Sequence, residues 1–252
     1  MLGDNSQHNI SRPLTSDWQT VAHVPTLDAG DVHIWLLSID EPFRSVLETG
    51  LSESELERTA AFKFRTHQNQ FVVSRGALRF LLGRYLGQPM QGIEILYTES
   101  GKPYLSQRHL PNVKFNVSHS EQYAILGFSL GQDLGIDIES EDHQTIDEGL
   151  LRQCLTASER LRYEQALPAE RTEFFFDLWT RKEAYMKLLG DGLSISPREL
   201  RLPPLKSGQQ AINGDLIYYT AMPDIEGFSS ALATRKQPAN VQFYSLGFNL
   251  VM

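Results

Sequence analysis

One cysteine, Cys154, in 252 residues leaves no partner for an internal disulfide, the usage expected of a protein kept in a reducing cytoplasm. No apolar run approaches the roughly 18 residues that cross a bilayer, so no membrane span is expected. The start, Met1 to Thr15, is polar, carries Asp4 and lacks a basic stretch ahead of an apolar one, so no signal peptide is expected either. Positive charge is in short supply: 23 Lys and Arg against 31 Asp and Glu give a net charge of −8, which argues against general nucleic-acid binding. The Gly-x-x-x-x-Gly-Lys-Ser/Thr spacing of a P-loop is absent, and with it the main support for an ordinary kinase or ATPase. What is present is 41% hydrophobic and 21% charged, ordinary globular material long enough for two modest cores.

Residues 1–30 read as an N-terminal arm with Pro13 and Pro25 and little periodicity. Val32 to Ile39 reads as a strand and Leu51 to Leu86 as mainly helix, opened by a Ser52/Glu55 capping box and broken or bent near Thr66-His67-Gln68-Asn69. Strands follow at Ile93 to Thr98, Lys114 to Val117 and Ala124 to Leu130, completing a unit over residues 31–133. Residues 134–252 repeat that plan, with a strand at Gly135 to Ile138 and helices near Leu150 to Leu155, Ala157 to Glu164 and Pro168 to Leu189. Strands are expected near Leu200 to Leu202, Leu216 to Thr220, Ser230 to Thr234 and Val241 to Leu246. Pro203-Pro204-Leu205-Lys206-Ser207-Gly208 reads as a loop.

Four segments carry chemistry. Within the helix ending at Leu189, Phe175, Trp179, Met186 and Leu189 fall on one apolar stripe; Lys182 lies in it, and Glu183 and Lys187 run along its edge. Four residues apart, Glu183 and Lys187 are neighbours on the helix surface, and alone they would read as an ordinary surface ion pair. In Leu134-Gly135-Ile136-Asp137-Ile138-Glu139, strand alternation points Asp137 and Glu139 the same way. Two such carboxylates repel, and with a third from another element they suit Mg²⁺, which takes oxygen ligands and shares its shell with substrate phosphates; Glu183 is the obvious third. In Val113-Lys114-Phe115-Asn116-Val117-Ser118-His119-Ser120 a strand ends in hydroxyls and an imidazole, a good corner for phosphate. Adjacent strand residues face opposite ways, so Ser118 and His119 do not form a nucleophile–base pair. Glu99-Ser100-Gly101-Lys102-Pro103-Tyr104 makes a turn presenting a lysine.

Taken together, Gly101-Lys102-Pro103, Phe115-Asn116-Val117-Ser118-His119-Ser120, Gly135-Ile136-Asp137-Ile138-Glu139 and Trp179-Thr180-Arg181-Lys182-Glu183-Ala184-Tyr185-Met186-Lys187, followed by Gly190-Asp191-Gly192-Leu193, resemble the 4'-phosphopantetheinyl transferase superfamily. The likeness is to its large, pseudo-dimeric, surfactin-synthetase-activating type. The resemblance implies an α+β fold of two similar lobes related by pseudo-twofold symmetry, each a small antiparallel sheet on a long helix. It implies an enzyme of the holo-[acyl-carrier-protein] synthase kind that moves the phosphopantetheine of coenzyme A to a serine of an acyl, polyketide or peptidyl carrier protein, releasing 3',5'-adenosine bisphosphate. Carried over by motif, Asp137, Glu139 and Glu183 are metal ligands for Mg²⁺, with Mn²⁺ as the alternative. Glu183 is also implied as the base acting on the carrier serine, directly or through a water, and Lys187 as the group that stabilises charge on the pyrophosphate or protonates the departing phosphate. Arg75, Lys102, Pro103, Ser118, His119, Lys182 and Lys187 would line the coenzyme A site. Gln68-Asn69-Gln70 stands where many relatives carry an arginine, which leaves Arg75 as the choice and Arg65 in reserve for the 3'-phosphate. The resemblance further implies a monomer. Carrier docking is expected on a local basic or apolar patch, with candidates around Arg152, Arg160 and Arg162. Glu159 reads as the first-turn acid of a short helix capped by Thr156 or Ser158, with a supporting role near the cleft as the other possibility.

Overall fold

The structure is a computed structural model that describes residues 17–39, 44–142, 144, 146–190, 195–202, 206–212 and 214–251. Met1 to Thr15, Asp191-Gly192-Leu193 and Pro203-Pro204-Leu205 lie outside the described residues. In chain order the elements are β1 (Gln19–Thr20), β2 (Asp31–Ser38), α1 (Arg44–Glu48), α2 (Glu53–Ala61), α3 (Arg65–Leu86), β3 (Ile95–Tyr97), β4 (Pro103–Leu105), β5 (Val113–Ser120), β6 (Tyr123–Leu130) and β7 (Leu134–Ser140). They continue with α4 (Glu148–Cys154), α5 (Ala157–Gln165), α6 (Arg171–Leu189), β8 (Gly208–Ile212), β9 (Asp215–Thr220), β10 (Phe228–Thr234), β11 (Asn240–Ser245) and α7 (Phe248–Val251). Among the described residues no helix is long and apolar enough to cross a membrane.

This is a mixed α+β molecule. One sheet has the order β1-β11-β2-β6-β5, a second β7-β10-β9-β8, and β3 and β4 form a separate hairpin. All eight residues of β2 are apolar or shielded because the strand is covered on both faces. Trp35 and Leu37 pack in the core that includes Leu78 and Leu81 of α3, whereas Val32, Ile34 and Leu36 meet Ile136, Ile138 and Leu232 of the second sheet. The far side of that second sheet carries α6, through Phe175, Leu178, Ala184 and Leu188 against Ile217, Ala231 and Ala233. The layers are therefore α3, first sheet, second sheet, α6, with an apolar seam between the sheets.

Several sequence expectations shift. The arm is shorter than 30 residues: Trp18 is only 5% exposed, and β1 pairs in parallel with β11. β11, in turn, runs parallel to β2, so the first sheet is mixed and a boundary at residue 134 does not separate the sheets. The last strand lies where its alternation places it, but its partner is some 200 positions away, a pairing that local pattern does not encode. The helical stretch breaks at Phe62-Lys63-Phe64, ahead of the expected bend, with the Ser52/Glu55 capping box in place on α2. Leu200 to Leu202 is not a strand; it follows a 3₁₀ turn, Pro197–Glu199, and the Leu202 N–H donates to Glu159 Oε1 at 3.1 Å.

Two sheets with exposed edges need a device to join them. β5 is the edge of one sheet and β7 the edge of the other, and side chains of β5 accept from the backbone of β7. Ile136 N–H donates to Asn116 Oδ1 (3.0 Å), Ile138 N–H to Ser118 Oγ (3.4 Å) and Ser140 N–H to Ser120 Oγ (3.1 Å). Every second residue of each strand takes part, as a period-two pattern requires. The otherwise unpaired N–H groups of the β7 edge are thereby satisfied.

Candidate active site

The same seam builds the candidate site. Ser118, besides accepting from β7, donates to Asp137 Oδ1 at 2.8 Å, and Ser120 donates to Glu139 Oε2 at 3.1 Å. Lys187 crosses from α6 to put Nζ 2.6 Å from Asp137 Oδ1 and 2.8 Å from Ser118 Oγ. Asp137 is only 2% exposed, and its second oxygen, Oδ2, is buried without a hydrogen-bond partner.

α6 lies unusually close to β7 because residue 135 is glycine. A Cβ there would sit 1.9 Å from the Ala184 carbonyl oxygen and 2.4 Å from the Leu188 nitrogen, inside any tolerable contact. Gly135 thus sets how near Glu183 and Lys187 come to Asp137 and Glu139. Sequence reading passed over it, although a glycine opening a strand is a signal of close backbone approach.

The electrostatics follow from the crowding. Burial, and then the charge of Asp137, push Glu183 up to about 7, with Glu139 adding to the rise and Lys187 opposing it. Glu139 is raised by burial and by Asp137, and Ser120 pulls the other way. Asp137 is itself raised by burial against the pull of Lys187 and Ser118. One lysine does not neutralise three such carboxylates. Their donor atoms are all oxygen, the set hard divalent cations take, and the orphaned Asp137 Oδ2 lacks a positive or hydrogen-bearing partner. Among the described residues, however, no group of three or more acidic, His or Cys side chains is placed to hold a metal ion.

Beside these groups lies a cleft of about 300 Å³ lined by Ser100, Lys102, Pro103, Val117, Glu183, Met186 and Lys187, among others. A larger cavity, about 540 Å³ between Leu47, Phe80 and Met90, has none of the candidate residues on its wall. The smaller one has the chemistry.

Two family models match the chain: "4'-phosphopantetheinyl transferase superfamily" over residues 133–236 and "4'-phosphopantetheinyl transferase, N-terminal" over residues 39–129. The 4'-phosphopantetheinyl transferase HetI of Nostoc sp. is 35% identical over 186 residues, covering 71% of this chain and 77% of that protein. The chain belongs to the 4'-phosphopantetheinyl transferase superfamily. A putative 4'-phosphopantetheinyl transferase of Synechocystis sp. is 32% identical over 64% of this chain and 65% of its own length. The transferase Sfp of Bacillus subtilis is 28% identical over 66% of this chain and 77% of its own.

The remaining candidates of this phosphopantetheinyl transferase divide sharply. His119 stands at the end of β5 beside the acids, much of it facing solvent; crowding around the ring and then the charge of Lys187 hold its imidazole below its ordinary value. Pro103 lines the cleft, and Lys102 does too, but with its ammonium on the backbone of α6. Arg75 bonds to the Tyr97 hydroxyl at 3.0 Å, approaches Glu55 at 3.5 Å and keeps one buried guanidinium nitrogen without a partner. Lys182 is not with the others. It is 0% exposed and donates to Glu159 Oε2 (2.6 Å), the Cys154 carbonyl (2.7 Å) and the Pro197 carbonyl (2.9 Å), which uses all three ammonium protons. A lining role for Lys182 is therefore corrected: at about 100° per residue it sits some 140° around the helix from Lys187. Glu159 closes a capping box with Thr156 and is committed to Lys182. Of the docking candidates, Arg160 is taken by Glu148 and Glu164 at 2.6 Å each, and Arg162 lies over the Phe174 ring. Ser120, expected with Ser118 in a phosphate corner, and Asn116, which carries no sequence signal of its own, hold the seam.

Proposed function

We propose that this enzyme moves the phosphopantetheine arm of coenzyme A onto a serine of an acyl, polyketide or peptidyl carrier protein, releasing 3',5'-adenosine bisphosphate. The observation that carries this reading is the setting of Asp137: gripped on one oxygen by Ser118 and Lys187, bare on the other, and flanked by Glu139 and Glu183 at a cleft. In the reaction the serine oxygen attacks the phosphorus bearing the pantetheine arm. A new P–O bond forms, the pyrophosphate bridge breaks, and the adenosine bisphosphate departs with the electron pair.

Asp137, Glu139 and Glu183 would hold Mg²⁺, which supplies charge neutralisation on the pyrophosphate oxygens. Glu183 receives the serine proton through a water. The water carries the proton because a carboxylate that holds a metal is itself a poor base. Lys187 supplies fixed positive charge where negative charge grows on the leaving group. Ser118 and Ser120 keep the two strand carboxylates aimed. His119 and Arg75 are the proposed contacts for the outlying phosphate of coenzyme A. The protein is further proposed to act as a cytoplasmic monomer.

The test is intact mass spectrometry of an apo carrier protein after incubation with the enzyme, coenzyme A and Mg²⁺. A gain of one phosphopantetheine is the expected result. An unchanged carrier across several carrier types, with adenosine bisphosphate nonetheless released, would instead make the enzyme a coenzyme A hydrolase that uses the same acids and water.

A further inference from the structure

The C-terminal end of α6 is held from the other half of the chain. An α-helix leaves its last carbonyls without intrahelical partners, and here two of them are answered by Lys102: its Nζ lies 2.6 Å from the Lys187 carbonyl oxygen and 3.3 Å from that of Leu188. Ser100, two residues earlier in the same turn, donates to the Gly190 carbonyl at 2.5 Å. Gly190 ends the helix with φ +79 and its N–H on the Met186 carbonyl. A Cβ at residue 190 would meet the Lys102 stem at 3.0 Å, so the glycine leaves room for the lysine to lie along the helix end. A cation at that end also complements the helix dipole.

Lys187 is the residue whose main chain is gripped in this way. Its side chain is fixed at the far end by Asp137 and Ser118. Backbone and ammonium of one lysine are thus anchored on separate elements, the turn before β4 and the β5–β7 seam. The turn belongs to a two-stranded hairpin outside both main sheets, an element of small intrinsic stability, so contact with α6 orders both partners.

We propose that Lys102 is a positioning residue of the transferase, one that fixes the end of α6 and with it the reach of Lys187, rather than a contact for the phosphates of coenzyme A. The proposal rests on the transfer reaction set out above. Its test compares wild type, Lys102→Met and Lys102→Arg in two ways: kcat and KM for coenzyme A in carrier modification, and amide hydrogen exchange over residues 184–190 with no substrate present. Lys102→Met is expected to lower kcat about tenfold, the scale of a small misplacement of a reacting group, to leave KM for coenzyme A within about twofold, and to speed exchange at the helix end. Lys102→Arg, which retains charged donors, is expected to recover most of both. A KM raised about tenfold with kcat and exchange unchanged would overturn the proposal and make Lys102 a coenzyme A contact. Wild type that modifies no carrier would sink the transfer reading alone. The exchange comparison would still decide the clamp, since unchanged exchange in Lys102→Met removes it and faster exchange upholds it.

Discussion

Lys182 and Glu159 form an ion pair of 2.6 Å with both side chains wholly out of solvent. Burial outweighs the attraction of Glu159 and holds Lys182 below its usual value, the mark of a charge whose desolvation is not fully offset. Removing one partner of such a pair strands the other. Lys182→Met is expected to cost about 3–5 kcal/mol of stability, read by urea denaturation, while Lys182→Met/Glu159→Gln should recover at least about 1 kcal/mol of that because no charge is left alone. The folded fraction of Lys182→Met should keep its KM for coenzyme A. A large KM rise with little destabilisation would return Lys182 to the binding site.

Asp137 raises Glu139, and Asp137 and Glu139 together raise Glu183, with Lys187 opposing the rise in both. Glu139→Gln and Glu183→Gln should therefore match or exceed wild type in melting temperature without divalent metal. Millimolar Mg²⁺ should raise the wild-type melting temperature by a few degrees through binding to the native state, and the two variants should lose most of that increment. The same increment in all three proteins would remove these acids as ligands. Asp137→Asn should cut carrier modification more than a hundredfold, a typical loss for a preorganised electrostatic contact, with the fold retained because burying a neutral amide costs less than burying a carboxylate.

Much of this was readable beforehand, for reasons that are local. Gly135-Ile136-Asp137-Ile138-Glu139 alternates with the period of a strand, and Glu183 and Lys187 stand four apart on a helix; both patterns survive folding because each lies within one element. The error over Lys182 was also local. Residue 182 falls on the side of α6 that carries Phe175 into the core, where the buried acid Glu159 of α5 meets its ammonium. The choice of β2 by β11, the docking of the Lys102 turn on α6 and the stitching of β5 to β7 were illegible for another reason. Each is a meeting of segments far apart in the chain, fixed by packing of the whole molecule rather than by propensity.

Gly135 offers a test of the packing that brings the acids and Lys187 together. Gly135→Ala must push α6 off β7, since its methyl would overlap the Ala184 carbonyl. Overpacking of this kind costs about 1–3 kcal/mol, and the displacement should lower kcat by more than tenfold even after correction for folded protein. Chemical denaturation and carrier modification on the same preparation separate the two effects. Unchanged kcat with reduced stability would show that the reacting groups tolerate a wider gap.

His33 gives the stability its pH dependence at the acid side. The ring is fully buried on β2, with Nδ1 2.9 Å from the Tyr85 hydroxyl, which also accepts from Trp35 Nε1 at 2.8 Å. His33 Nε2 is buried without a hydrogen-bond partner. Burial holds His33 below its usual value, against the opposing pull of Asp31, Gln242 and Asp28 from the surrounding strand and loop, with Tyr244 packed on its face. A depressed histidine contributes stability that is present above its unfolded value, about 6.5, and is lost as pH falls toward its folded value, because the unfolded chain takes up the proton first. The slope is at most about 1.4 kcal/mol per pH unit for one group. His109, whose Nε2 accepts from the Glu94 N–H and which is likewise held low by burial, adds a smaller loss in the same window. His33→Phe should start less stable at pH 8, having lost the Tyr85 bond, but its melting temperature should fall less than that of wild type between pH 6.5 and 5. Parallel curves for the two proteins would clear His33 and leave His109 and His119, likewise held low, to account for the acid limb.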